Sequence, residues 1–333
     1  MKEAEFQDLK KQKETELRMQ YSKQHESKHK KDLKQMKGYY KKKYPERMEE
    51  STKDMSKMEK IPVLQTEEAL YTRYHYNITA LKMEKGAYSV FCKAKRGSDS
   101  MVVKITDLKK APKSYKKCLV EGDSYKAIKW LMKNRNAFVI SCTDVFLIGD
   151  KFYFFQEVLA ENLESHLKHA GVAEEDKARQ IIRDVGEGLV FLHTNGIAHR
   201  DLCARNVMVD KTAKTVKIGG FSCVTGWWTK EPKKLPGIHD KDVKYISPEE
   251  RDGGDICPVK ADIWGLGATA VYAMCKDYPP AVEFEVFQSN KLGHASEDFV
   301  DLMKKTFGKP KNRPTAIDFL SHHWFKVYAN VLK

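Results

Sequence analysis

No stretch of this chain approaches the roughly 18 to 20 uninterrupted apolar residues that a bilayer crossing requires, and its first thirty residues are charged where a signal peptide would be apolar. Cysteine is scarce and unpaired. Cys92, Cys118, Cys142, Cys203, Cys223, Cys257 and Cys275 form an odd set with no paired spacing, which argues for reduced thiols rather than a disulfide-stapled fold. Proline and glycine are nearly missing from the first 60 residues, which hold only Pro45 and Gly38. Together these absences make a cytoplasmic protein without a transmembrane segment the expectation.

What is present is apolar content sufficient for a real core: 333 residues, 41% hydrophobic and 32% charged, long enough for one large domain or two ordinary ones. Lys and Arg exceed Asp and Glu by 60 to 46, a formal charge of +14. Such an excess draws acidic lipid, nucleic acid or an acidic protein partner, and a solvated lysine face accounts for it equally, since no motif shapes the charge into a groove.

Residues 1–65 are rich in Lys, Glu and Gln, a helix-forming composition. Leu33, Met36, Tyr40, Tyr44 and Met48 recur near the helical period, whereas Ser22 to Asp32 carries no such stripe. The pattern predicts a long basic helix broken near Pro45, without the sustained heptads of a coiled coil. Residues 1–60 are the candidate contact for acidic lipid or nucleic acid. From about Ile61 strand and helix signals mix. Leu81 to Lys95 and Met101 to Ile105 read as strands around the turn Arg96-Gly97-Ser98, and Tyr125 to Lys133 reads as a helix. Val145 to Leu159 holds two more strand-like runs separated by Gly149-Asp150, and the rest is mainly helical, with Ala178 to His193 and Ala261 to Met274 its most apolar helices.

The strongest chemical signal is His199-Arg200-Asp201-Leu202-Cys203-Ala204-Arg205-Asn206, followed by the apolar run Val207-Met208-Val209. It resembles the protein-kinase catalytic loop H-R-D-L-x-x-x-N, in which the aspartate accepts a proton from the substrate hydroxyl and the asparagine holds magnesium. Its neighbours agree. Met101-Val102-Val103-Lys104 resembles V-A-I-K, Ser247-Pro248-Glu249 resembles A-P-E, Asp262-Ile263-Trp264-Gly265 resembles the start of the central buried helix, and Asn312-Arg313-Pro314-Thr315 resembles the late arginine motif.

The resemblance covers roughly residues 75 to 327. It implies an α+β, two-lobed protein-kinase fold, with a small antiparallel sheet plus helix as N-lobe (66–158), a mainly helical C-lobe (159–333) and the basic helical extension (1–65) outside it. It implies Asp201, Lys104 and Asn206 as catalytic residues, Gly86, Lys104 and the backbone of Glu157 and Leu159 as ATP-binding, and Gln156 as the gatekeeper. His199, Phe221, Glu249, Asp262 and Arg313 become structural residues, with a Glu249–Arg313 ion pair. Ala204-Arg205 and the segment before Ser247 lean toward tyrosine kinases, and Phe319 to Phe325 toward serine/threonine kinases.

The chain departs from that pattern where phosphate and metal are handled. D-F-G reads Gly220-Phe221-Ser222, and glycine has no side chain to ligate magnesium; Asp210 falls too early to replace it. Only Gly86 survives of the three loop glycines, with Glu84 and Ser89 at the other two places, and Phe91 or Val90 holds the following valine position. Val102 replaces the adenine-covering alanine, and Lys126 stands near the helix glutamate's place, Glu121 lying about a turn early. The expectation is a pseudokinase acting as a signalling scaffold or allosteric partner of other proteins, binding ATP weakly at most and not holding magnesium. The alternatives are a weakly active kinase on Tyr or Ser/Thr hydroxyls, and an adaptor held to membrane or nucleic acid by its basic arm. Trp227-Trp228 is expected to pack the activation segment down on the lobe, the alternative being a partner-binding patch.

Overall fold

The structure, a computed structural model, describes Gly38, Lys42, Asp54, Met55, Lys57 and residues 60–85, 88–111, 113–116, 119–120, 123–226, 245–251, 257–277 and 292–330. Nearly all of the basic extension, Gly86, Glu121, Trp227-Trp228 and Thr229 lie outside the described residues.

Alternating apolar residues build a six-stranded sheet. Its strands are β1 (Val63–Leu64), β2 (Tyr76–Lys85), β3 (Ser89–Arg96), β4 (Asp99–Asp107), β5 (Cys142–Ile148) and β6 (Lys151–Glu157), in the spatial order β1-β5-β6-β4-β3-β2. The neighbours among β2 to β6 are antiparallel, while β1 runs parallel to β5. Gly97-Ser98 and Gly149-Asp150 close the β3–β4 and β5–β6 hairpins, the two-residue turns that the glycines signalled. Within the strand-like stretch Leu81 to Lys95, β2 and β3 pair back on each other about the place where the resemblance puts the glycine loop, Lys85 opposite Val90 and Tyr76 opposite Arg96. Apolar alternation alone cannot mark that reversal, because it continues on both sides of it.

One face of the sheet packs beneath helix α1 (Glu68–Tyr74) around Leu64, Leu70, Tyr76, Phe146, Tyr153 and Phe155, with the Tyr76 and Phe155 rings stacked at 3.9 Å. Glu67 ties this layer down by accepting hydrogen bonds from Lys151 and the Tyr153 hydroxyl. The other face joins the main core, which contains Phe152 and Phe154 together with Tyr125, Ile128, Trp130 and Leu131 of helix α3 (Asp123–Lys133), beyond the short α2 (Lys113–Lys116).

After the lobe connection come β7 (Glu161–Asn162), α4 (Leu163–Ala170), α5 (Glu175–Thr194), β8 (Ile197–Ala198), β9 (Val207–Val209), β10 (Val216–Ile218) and β11 (Thr225–Gly226). α6 (Pro248–Arg251), α7 (Pro258–Cys275), α8 (Glu297–Thr306) and α9 (Ala316–Leu320) follow. α5 buries Ala178, Ile181, Ile182, Val185, Leu189 and Leu192, three to four residues apart, as an amphipathic helix should. α7 is buried on nearly every side, hence its almost unbroken apolar sequence, and Pro258 opens it where no N–H is needed. The expected ion pair is present: Arg313, almost fully buried, donates to both carboxylate oxygens of Glu249, at 2.8 Å from Nη2 to Oε2. Among the described residues no helix is long and apolar enough to cross a membrane.

Two glycines of α5 set how closely its neighbours approach. A Cβ on Gly188 would lie 2.8 Å from the Phe138 backbone oxygen, whereas one on Gly186 would meet the flexible Leu320 side chain. Gly188→Ala should lower the unfolding free energy by about 1–3 kcal/mol, since backbone cannot step aside. Gly186→Ala should cost less, its clash offset by the ~0.5–1 kcal/mol helix preference of alanine. Urea unfolding of both variants measures the contrast.

Candidate functional site

The site is built on one buried carboxylate. Asp262, in the first turns of α7, accepts from His193 Nε2 at 2.8 Å, from the His199 backbone N–H at 2.8 Å and from the Arg200 backbone N–H at 2.6 Å. These bonds hold Arg200 in the left-handed region at φ 64°, a conformation an arginine does not adopt unassisted. His199 is fully buried; its Nε2 donates to the Gly219 carbonyl at 2.7 Å, and its Nδ1 accepts the Asp201 N–H at 3.3 Å. The loop between β8 and β9 is thus fixed from both sides.

Asp201 and Asn206 face each other across that loop. Asn206 Nδ2 donates to the Asp201 carbonyl at 2.7 Å and to Asp201 Oδ2 at 2.9 Å. Burial pushes the Asp201 carboxyl above the ordinary range, and His199, the Asn206 hydrogen bond, Lys104 and Arg205 pull it back. Burial likewise raises the Tyr88 phenol to about 12, with Cys223 and Asp201 close enough to add to the rise.

Lys104 projects from β4 into the same cleft and donates to Ser222 Oγ at 2.9 Å, with Nζ 5.7 Å from the centre of the Phe91 ring. Phe91 pairs directly across from Lys104 and Val90 across from Ile105. Lys126, on α3, is half-buried. Phe221 is buried between Phe154, ring centres 6.5 Å apart, and His199, at 5.7 Å. At the lobe connection Leu159 packs half-buried against the core, while the Glu157 carboxylate accepts from the Ser141 N–H at 2.6 Å and from Lys217 at 2.8 Å. Asp210 caps the β9–β10 turn through the Thr212, Lys214 and Thr215 N–H groups, which helps hold its carboxyl down at about 2.

Sequence reasoning missed three partners: Ser222 for Lys104, Lys217 for Glu157, and Glu250 for Arg200, whose Nη2 donates to Glu250 Oε1 at 3.2 Å. Each joins residues distant along the chain, so no local pattern could have signalled them.

Between the lobes lies a cavity of about 50 Å³, lined by Phe91, Phe152, Phe154 and Phe221 with Lys104 and Gln156 among its polar groups. The residues that the resemblance assigns to magnesium do not fit the ion. A Cβ on Gly220 (φ 78°) would lie 2.8 Å from Asn206 Cβ and closer still to its Cγ and Oδ1, so the amide stands where the missing side chain would begin. Magnesium is held by one or two carboxylates plus phosphate oxygens, and position 220 offers no carboxylate, leaving the Oδ1 of Asn206, whose Nδ2 is bonded to Asp201. Among the described residues no group of three or more His, Cys, Asp or Glu could hold a metal ion.

The family model of the protein kinase domain matches residues 79–325. Mitogen-activated protein kinase kinase kinase 3 of Mus musculus is 28% identical over 193 residues, covering 52% of this chain and 29% of that protein. Sperm motility kinase 2B of Mus musculus is 26% identical over 209 residues, 59% of this chain and 42% of that one. Serine/threonine-protein kinase dst4 of Dictyostelium discoideum is 31% identical over 161 residues, 44% of this chain and 33% of that one. The matches span less than half the length of each of these three relatives.

Burial pushes Glu250 up to about 7 despite Arg200, with Asp262 and Glu249 adding to the rise. The folded state therefore holds this proton more tightly than the unfolded chain does. Its stabilising contribution is complete below about pH 4.5 and is lost as pH rises through about 7, by up to about 1.4 kcal/mol per pH unit. Urea unfolding of wild type and Glu250→Gln across this window should show the wild-type curve falling more steeply with pH.

Proposed function

The chain belongs to the protein kinase family, and from that premise we propose that it is a pseudokinase, a protein-kinase domain that works by binding other proteins rather than by transferring phosphate. The observation that carries this reading is the corner at Gly220. There the metal-binding carboxylate is absent and the Asn206 side chain fills the space in which one would start. Catalysis of phosphoryl transfer rests on positioning and on neutralising phosphate charge, so this loss falls on its main term. A loss of even ~4 kcal/mol of transition-state stabilisation slows the reaction about a thousandfold. The Lys104–Ser222 hydrogen bond supports the same reading, since it engages within the chain the lysine that would otherwise meet phosphate.

In this proposal residues 66–158 act as N-lobe and 159–333 as C-lobe, and Lys104, Asp201, Asn206, Gly86, Glu157 and Leu159 form a degenerate site. His199, Phe221, Glu249, Asp262 and Arg313 keep the lobe in shape. The partners are cytoplasmic proteins, and residues 1–65 add a basic arm for an acidic surface. A second reading, weak kinase activity on serine or threonine, draws on the Asp201–Asn206 pair and on the serine/threonine kinase name of one relative.

Thermal unfolding with ATP or ADP, first in excess magnesium and then in a chelator, separates the two. The pseudokinase reading expects no magnesium-dependent upward shift, so either no shift or one that the chelator leaves unchanged, where a ligand at 100 times its Kd would add about 2.7 kcal/mol. A magnesium-dependent rise, with phosphate transfer abolished by Asp201→Ala, would establish the kinase instead.

A further inference from the structure

Helix α3 presents two unlike faces. Set out at about 100° per residue, Ser124, Tyr125, Ala127, Ile128, Trp130 and Leu131 fill one side of the helix, and all six are buried. Lys126, Lys129 and Lys133 fall within about 60° of one another on the opposite side. Lys126 and Lys129 are half-buried and Lys133 is exposed. From the first to the last of them the helix rises about 10 Å, and the exposed Arg135 follows just past its end. Lys126 stands near the place where the kinase pattern has a glutamate, and the stripe is complete only with it.

This face is not neutralised from within. Residues 123–135 hold four cations, Lys126, Lys129, Lys133 and Arg135, against the single carboxylate of Asp123. Among the described residues none of the four makes an ion pair. The lysines of the preceding connection do: Lys109 and Lys116 lie 3.3 and 3.1 Å from Asp150, and Lys110 lies 3.3 Å from Asp107. The basic arm joins the lobe on the same flank as α3. The Pro62 carbonyl accepts the Leu147 N–H at 3.0 Å, and Val63–Leu64 runs parallel to Leu147–Ile148 of β5, the strand against which α3 packs. Just before it, Met55 and Ile61 are buried in the core that contains Tyr125, Ile128 and Trp130, while Lys57 and Lys60 are exposed.

We propose that the lysine face of α3, continued by Arg135 and flanked by the root of the basic arm, is the docking surface for an acidic segment of a protein partner. Opposite charge steers such a segment in, and matched carboxylates set its register. The half-buried stems of Lys126 and Lys129 lie along the lobe, and Lys129 Nζ is 6.0 Å from the centre of the Tyr125 ring. Side chains restrained in this way lose less freedom on pairing with the fixed carboxylates of a protein. The large apolar side chains exposed among the described residues, Val63, Tyr71, Val158 and Val172, all lie off α3, so this helix has none to insert between lipids. The inference rests on the reading of the domain as one that works by binding proteins, and it names the class of partner.

Fluorescence anisotropy of a labelled glutamate-rich peptide, titrated with the full chain at physiological salt, tests the face. Lys126→Gln, Lys129→Gln and Lys133→Gln together should weaken binding about tenfold. Lys109→Gln, Lys110→Gln and Lys113→Gln together remove the same formal charge elsewhere on the lobe and should leave affinity within about twofold, because salt screens distant charges. Unchanged near-ultraviolet circular dichroism in both triple variants shows that the fold survives. Equal losses in the two variants, or no binding by wild type, overturn the docking face. Vesicles of phosphatidylserine and phosphatidylcholine are the second probe: a loss of vesicle binding in the α3 variant as great as the loss of peptide binding, or greater, overturns a protein partner. Nucleotide is absent from this assay, so its failure leaves the pseudokinase reading standing. Selective peptide binding in a chain whose unfolding temperature rises with ATP and magnesium overturns that reading alone.

Discussion

Everything chemical in this molecule is arranged around the buried carboxylate of Asp262. An uncompensated charge in the interior is costly, so its oxygens must be saturated with donors. The donors are the His193 ring and the backbone N–H groups of His199 and Arg200. That requirement fixes the backbone of the catalytic loop, and a fixed loop in turn places His199 under Gly219 and Asp201 against Asn206. The same residues serve an active enzyme and an inactive one alike, so an intact loop sequence reports the fold rather than the chemistry.

Removing one carboxylate at position 220 does not leave a hole. Glycine there frees volume and permits a left-handed backbone, and the Asn206 amide takes up the space while satisfying Asp201. Lys104 donates to the Ser222 hydroxyl, and serine stands where the kinase pattern has glycine. Two departures from the pattern, one deleting a charge and one adding a hydroxyl, are thus mutually consistent. Arg200 is handled in the same way, its guanidinium facing Glu250 inside the lobe.

Much of the architecture was legible from residue pattern. Gly97-Ser98 and Gly149-Asp150 marked hairpins because tight turns need their backbone freedom, and the apolar period of Ala178 to His193 marked α5 because one stripe must face the core. The Glu249–Arg313 pair could be named in advance because both residues belong to motifs with a known mutual position. The reversal inside Leu81 to Lys95 was legible only through the resemblance, which puts a loop at Glu84 to Ser89, since strands on either side of a turn share one alternation.

The sequence by itself determined the fold and the missing ligand: the catalytic-loop motif and its neighbours admit one architecture, and a glycine at 220 carries no oxygen in any conformation. Tertiary structure alone decided what became of the vacated site. Whether Lys104 meets Ser222, whether Asn206 turns into the space beside Gly220 and whether Glu157 finds Lys217 depend on contacts between side chains brought together from separate elements. Contacts of that kind follow from close packing and from the need to satisfy every buried polar group, conditions that no local stretch of sequence expresses.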